Sequence, residues 1–182
     1  MSIFRQRNLY DWLELDEDET HEWHLEEWII KTWKQIPYPL NRHQLPGLPG
    51  FYALYGSFKP CHLNLPILHW QSNLTVEKVL SNYLSEEQTQ GKFNAFLYIG
   101  TSQTLFQRWE SHEKRLPVRH LFENGVGVNF YFRAMPPTKR MDQENTAEEK
   151  SRKDLEKELI QYLCPIFNDQ RRWRRSARYD KC

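Results

Sequence analysis

Cysteine is scarce in this chain of 182 residues: Cys61, Cys164 and Cys182 are odd in number and share no CxxC spacing. Neither a disulfide framework nor a zinc ribbon is expected from them, and a reducing compartment fits best. Long apolar runs are missing as well. The stretch MSIFRQRNLY holds no apolar h-region, and nothing approaches the ~20 apolar residues of a membrane-spanning helix. The expectation is therefore a cytoplasmic protein with no membrane partner. Charge of one sign is also lacking. The 25 Lys and Arg nearly balance 24 Asp and Glu, leaving a formal +1, so the overall balance is silent about nucleic acid. No internal repeat or long low-complexity tract is present.

What is present is aromatic and unevenly charged. Hydrophobic residues make up 39% and aromatics 14%, enough for a real core, although a mean hydropathy of -0.82 makes the surface strongly polar. Residues 11–27 are dense in carboxylates, from Asp11 and Glu14 to Glu26 and Glu27. The other end is basic: Arg171, Arg172, Arg174, Arg175, Arg178 and Lys181, interleaved with Trp173 and Tyr179. Such asymmetry fits a polyanion-binding tail, with arginines on phosphates and aromatics on bases, or an acid–base clamp within the chain. A solvated basic end is an equally good reading.

Residues 9–34 read as helical, in one piece or two, with Leu25, Trp28, Ile29 and Trp33 at helix spacing opposite Glu22, Glu26 and Glu27. The Pro- and Gly-punctuated stretch 35–50 cannot continue a helix. GFYALYG, Gly50 to Gly56, reads as a strand. Residues 57–94 then interrupt, with one helix expected over Val76–Leu84 and Thr75 as its N-cap. A strand follows at Ala95–Ile99, then a helix near Thr104–Arg115. From Asn124 to Met135 the pattern alternates: Val126, Val128, Phe130 and Phe132 on one face, Gly127, Asn129, Tyr131 and Arg133 on the other. That is a half-buried strand. A last helix starts near Asn145, spaced to Glu148 as a capping box, and runs to Leu163 with Leu155, Leu159, Ile160, Tyr162 and Leu163 as its core stripe. This order of elements describes a small α/β or α+β sheet domain.

Five spaced elements resemble the GIY-YIG nucleases. The two signature tripeptides correspond to Gly50-Phe51-Tyr52 and Tyr98-Ile99-Gly100; Arg108 follows eight residues after Gly100. The run RWESH, Arg108 to His112, looks like the RWxxH of the homing-endonuclease branch. LEKELIQYLCPIFN resembles the closing motif, which places its glutamate on Glu156 and its asparagine on Asn168, with Leu159, Ile160 and Pro165 between them. The resemblance spans about residues 48–168. It implies a three-stranded antiparallel sheet flanked by helices, with residues 1–47 as an acidic, Trp-rich helical arm and linker, 57–94 as an insertion, and 169–182 as a basic tail.

It also implies a metal-dependent DNA endonuclease using Mg²⁺ or Mn²⁺, with Tyr52, Tyr98, Arg108, His112 and Glu156 as catalytic residues, Glu156 holding the metal, and Gly50, Gly100 and Asn168 structural. The chemistry suits those residue types. Cutting a phosphodiester needs an activated water, neutralised phosphoryl charge and a stabilised leaving group. Arginine offers an always-charged planar fork for phosphate, and glutamate a hard oxygen ligand. A phenol is a poor base at a pKa near 10, so Tyr52 or Tyr98 needs a neighbouring cation, such as the metal or Arg108, to serve as base; otherwise it orients water. His112, one turn from Arg108, is placed for proton transfer or phosphate contact. Arg171, Arg172, Trp173, Arg174 and Arg175 are the expected nucleic-acid contacts.

Taken singly, each residue has an ordinary explanation. The tyrosines could be core aromatics, Arg108 could pair with Glu110 or Glu113, and Glu156 with Arg152 or Lys153. The glycines could mark strand ends. One feature departs from the family: 45 residues separate Tyr52 from Tyr98, where the family has a short hairpin. Long insertions add little closure entropy, about 0.6 kcal/mol per doubling. Specificity would come from the insertion, the arm or a homodimer. A catalytically inactive DNA-binding or scaffolding protein with the same fold is the alternative, and an RNA substrate stays open.

Overall fold

Strand β2, Gly50–Phe58, organises the molecule, because every residue in it except Ser57 is buried. A strand can lose both faces to the interior only where its side chains are apolar or aromatic throughout, as in GFYALYGSF, and where both edges are paired. In the computed structural model, which describes residues 22–66, 75–80, 90–113, 116–134 and 145–168, β2 pairs antiparallel with β3, Phe93–Ser102, on one side and with β4, Gly127–Ala134, on the other. Strand β1, Lys34–Pro37, pairs antiparallel with the outer edge of β4. The sheet is thus four-stranded, in the order β1-β4-β2-β3.

The fold is α+β, with helices on both sheet faces. One face gathers Tyr52, Leu54 and Phe58 of β2, Leu97 of β3 and Val128, Phe130 and Phe132 of β4. It is covered by Leu105 and Trp109 of helix α3, Leu105–Glu113, and by Val118 and Leu121 of helix α4, Val118–Glu123. The opposite face presents Phe51, Ala53, Tyr55, Phe96, Ile99 and Tyr131. Helix α1, Glu22–Thr32, closes it with Leu25 and Ile29, together with the following Trp33; helix α5, Asn145–Leu163, adds Leu155 and Leu159.

Three strands were expected and four are found. The fourth, β1, lies in the Pro-rich connection and buries only Ile36 of its four residues, so it leaves almost no alternating pattern to read. Residues 22–47, assigned from sequence to the arm and linker, supply this strand and a core helix. Strand β4 keeps the expected alternation, but Tyr131 is buried too, so both its faces are covered rather than one. Helix α4 was not anticipated; six residues are too few to show a helical period. Tyr162, expected in the core stripe of α5, is 40% exposed.

Within the insertion, helix α2, Val76–Leu80, begins where expected, and the Lys78 N–H donates to Thr75 Oγ1 at 3.4 Å. The Val76 and Glu77 amides donate to the Leu65 and Leu63 carbonyls at 3.0 and 2.8 Å, tying this helix to the end of the preceding turn. Residues 81–84, where the expected helix would continue, the acidic residues 11–21 and the tail 169–182, with Arg171, Arg172, Trp173, Arg174 and Arg175, lie outside the described residues. Among the described residues, no helix is long and apolar enough to cross a membrane.

Candidate active site

The pairing of β2 with β3 sets Tyr52 opposite Gly100 and Leu54 opposite Tyr98. Because side chains alternate with period two, Tyr52 and Tyr98 share a face, and their rings stack with centroids 5.9 Å apart and planes at 25°. Phe130 stacks on the other side of Tyr52 at 5.6 Å and 8°. Gly100 makes this possible. A Cβ there would lie 2.7 Å from the Tyr52 hydroxyl oxygen and 2.8 Å from a ring carbon of each tyrosine. Gly50 is constrained differently: its Cβ would meet the Arg133 carbonyl oxygen on β4 at 2.4 Å. Neither glycine merely marks a strand end.

Helix α3 brings the guanidinium. Its start is shaped by Ser102, whose hydroxyl donates to the Thr104 carbonyl at 2.9 Å and accepts the Thr104 N–H at 3.0 Å. The Leu105 N–H, unsatisfied within the helix, donates to Leu48 O. With Leu105 and Trp109 buried on one stripe, Arg108 falls on the exposed flank, and from there its guanidinium reaches the hydroxyls of Tyr52 and Tyr98. His112 lies in the last turn of α3, and its side chain is outside the described residues.

Glu156 comes from the other side of the sheet. Helix α5 packs along β3, the edge strand, and the Glu156 carboxylate accepts the Thr101 backbone N–H and feels the charges of Arg108 and Lys153. Arg152, one of its candidate partners from sequence, donates instead to the Ser102 carbonyl at 2.9 Å. Beyond α5 the chain runs along the same edge. Ile166 and Phe167 donate to the Phe96 and Leu97 carbonyls at 3.0 and 2.7 Å. Asn168 then pairs with both backbone groups of Ile99, accepting its N–H at 2.7 Å and donating to its carbonyl at 2.5 Å. The asparagine side chain completes the ladder along an edge that would otherwise expose a row of backbone donors and acceptors.

The four charged and phenolic groups shift one another. Burial pushes the Tyr52 pKa well above 10; the neighbouring Tyr98 adds to this, and Arg108 only partly offsets it. Tyr98 is raised by burial and by Glu156, again against Arg108. Burial raises Glu156 as well, opposed by the Thr101 amide, Arg108 and Lys153. Burial lowers the Arg108 value, but the two phenols outweigh it and the net shift is upward. The expectation that Arg108 would lower a phenol toward neutrality therefore meets a larger opposing effect, desolvation of the phenolate. At neutral pH both hydroxyls keep their protons.

The structure thus brings Tyr52, Tyr98, Gly100, Arg108 and Glu156 to one end of the β2–β3 pair, buttressed by Asn168. Exposure differs among them. Tyr52 is 1% exposed, whereas Tyr98 and Glu156 are half-buried and Arg108 is exposed. Sequence reading missed the roles of Arg152, Thr101 and Ser102. For Arg152 a signal existed, since it extends the buried 155/159 stripe by one turn; backbone groups such as the Thr101 amide leave none. Among the described residues there is no cluster of three His, Cys, Asp or Glu side chains around a shared point. In comparison with known proteins, no family model matches the chain, and no curated protein or solved structure does so either.

Proposed function

We propose that this protein is a metal-dependent endonuclease that hydrolyses DNA phosphodiester bonds with a GIY-YIG-type site. The observation that carries the reading is the solvent-exposed Arg108 hydrogen-bonded to two stacked phenols, with Glu156, from a helix on the opposite sheet face, near enough to feel its charge. A purely structural ion pair needs no such phenols, and a core tyrosine pair needs no exposed guanidinium at its hydroxyls.

Arg108 neutralises phosphoryl charge as it builds up, a contribution that preorganised donors make without reorganisation during the reaction. Tyr98, the more accessible phenol, donates a hydrogen bond to phosphate or to the attacking water. Tyr52, sealed beneath it, holds Tyr98 and Arg108 in place. Because both phenols are protonated at neutral pH, they orient rather than abstract. Glu156 would hold a Mg²⁺-like ion as a hard oxygen ligand, a donor that suits an ion with most of its positions left to water and substrate. Such an ion supplies charge neutralisation and a more acidic water. One such carboxylate would bind the ion weakly in the absence of DNA.

A supercoiled-plasmid assay with Mg²⁺ or Mn²⁺ tests the reading. Wild type nicks; Glu156→Ala and Arg108→Ala each lose about 10²–10³-fold or more in rate while staying folded. Plasmid binding by wild type without metal-dependent nicking would leave a scaffold with a nuclease-like surface.

A further inference from the structure

Arg152 is 7% exposed, one of two polar side chains buried among the described residues. An arginine cannot shed its charge, so placing it inside is costly unless its donors are matched. On α5 it precedes Leu155 and Leu159, both buried, and a leucine at 152 would simply extend that apolar stripe. Its guanidinium instead donates to the Ser102 carbonyl at 2.9 Å. One turn later on the same helix, Glu156 accepts the amide of Thr101. Two side chains four residues apart therefore hold the peptide groups on either side of the Thr101–Ser102 peptide at the end of β3.

Those peptide groups are the junction from which Arg108 is mounted. Ser102 brackets Thr104 through its hydroxyl, and the Thr104 carbonyl receives the Arg108 amide at 3.2 Å. The path from Arg152 to Arg108 thus runs through Ser102 and Thr104 without a gap in hydrogen bonding.

We infer that Arg152 is a positioning residue: by gripping the Ser102 carbonyl it fixes the β3–α3 junction, and with it Arg108, against the helix that carries Glu156. The inference rests on the nuclease reading for its catalytic meaning, though not for its physical content. Arg108 and Glu156 sit on different helices and share no backbone ladder, so their spacing depends on whatever joins the two. Small misplacements are expensive in rate.

The test compares Arg152→Leu, which suits the apolar stripe and should fold, with Arg152→Lys, which keeps a cationic donor. Amide hydrogen exchange is the first readout. In Arg152→Leu the Thr101 and Thr104 amides exchange at least about tenfold faster relative to the amides of β2, while Arg152→Lys restores most of the protection. The second readout is kinetic: kcat falls by about ten- to a hundredfold in Arg152→Leu with KM little changed, and Arg152→Lys recovers part of it. Wild-type exchange at Thr101 and Thr104 in Arg152→Leu, or acceleration only in step with β2, overturns the inference. Should wild type cleave no nucleic acid, the nuclease reading falls, and the exchange pattern still decides whether Arg152 holds the junction.

Discussion

Glu156 combines two properties that pull against each other: it is half-buried, and it serves the proposed chemistry only as a carboxylate. Burial holds its pKa above the ordinary value of 4.5, despite the Thr101 amide, Arg108 and Lys153. For an acid whose value is raised on folding, the folded state binds the proton more tightly. The stabilisation is complete below the unfolded value and is lost as pH climbs through the folded one. At pH 7, above the unfolded value, Glu156 therefore costs the fold stability relative to low pH. Glu156→Gln, which can still accept from Thr101, is expected to melt higher than wild type at pH 7, and the gap should close as the pH falls below about 4.5. Thermal unfolding across pH 4–8 measures this; a variant melting lower at pH 7 would show the carboxylate to be structurally favourable. A site residue that weakens its own fold is a familiar trade between activity and stability.

At the scale of elements, the end of α5 decides how well the site is closed. The helix stops at Leu163, and Cys164 turns the chain with φ +42°, the left-handed conformation that glycine adopts without penalty. Its amide still donates to Ile160 O, and Pro165 prevents continuation before Ile166 to Asn168 line the edge of β3. Cys164→Gly is expected to raise stability by about 0.5–1 kcal/mol, less whatever the 3.4 Å Sγ contact to the Gln161 carbonyl contributes. Urea unfolding checks it, and a loss of stability would mean that the cysteine side chain outweighs the backbone strain. Much of α5 could be read in advance: its limits, Asn145 and Leu163, coincide with the helical period and with Pro165. The outward turn of Tyr162 could not, since it depends on which side of α5 the sheet occupies.

For the whole molecule, the question is whether the first part of the chain is a removable cover or part of the core. Leu25, Ile29 and Trp33 are each at most 4% exposed and close one sheet face over Phe51, Tyr55 and Tyr131. Trp33 packs on Phe51 at 6.3 Å, and the Tyr55 hydroxyl donates to Glu26. Strand β1 pairs all four of its residues with β4. A chain beginning at Leu45 is therefore expected to lose cooperative thermal unfolding and all activity, because removing a helix and an edge strand uncovers apolar area worth several kcal/mol in a molecule of ordinary marginal stability. Circular dichroism with temperature shows the outcome. A truncated chain that folds and cleaves faster would make the N-terminal part a cover after all.

The residue pattern by itself determined the local elements and their contents. The aromatic run from Gly50, the alternation from Val126 to Phe132, the Thr75 cap and the period of α5 each depend on neighbours a few positions away, and each was legible for that reason. The order of the motif residues could be read as well. Only the tertiary structure decided the partners. It paired β1 with a strand nearly a hundred residues later, buried Tyr131 on a face that reads as half polar, and set Arg108 against Glu156 from opposite sides of the sheet. It also decided protonation: a guanidinium beside a phenol lowers its pKa, but how far burial overrides that depends on packing by Phe130, Gly100 and Tyr98, which touch Tyr52 only once the strands are in register.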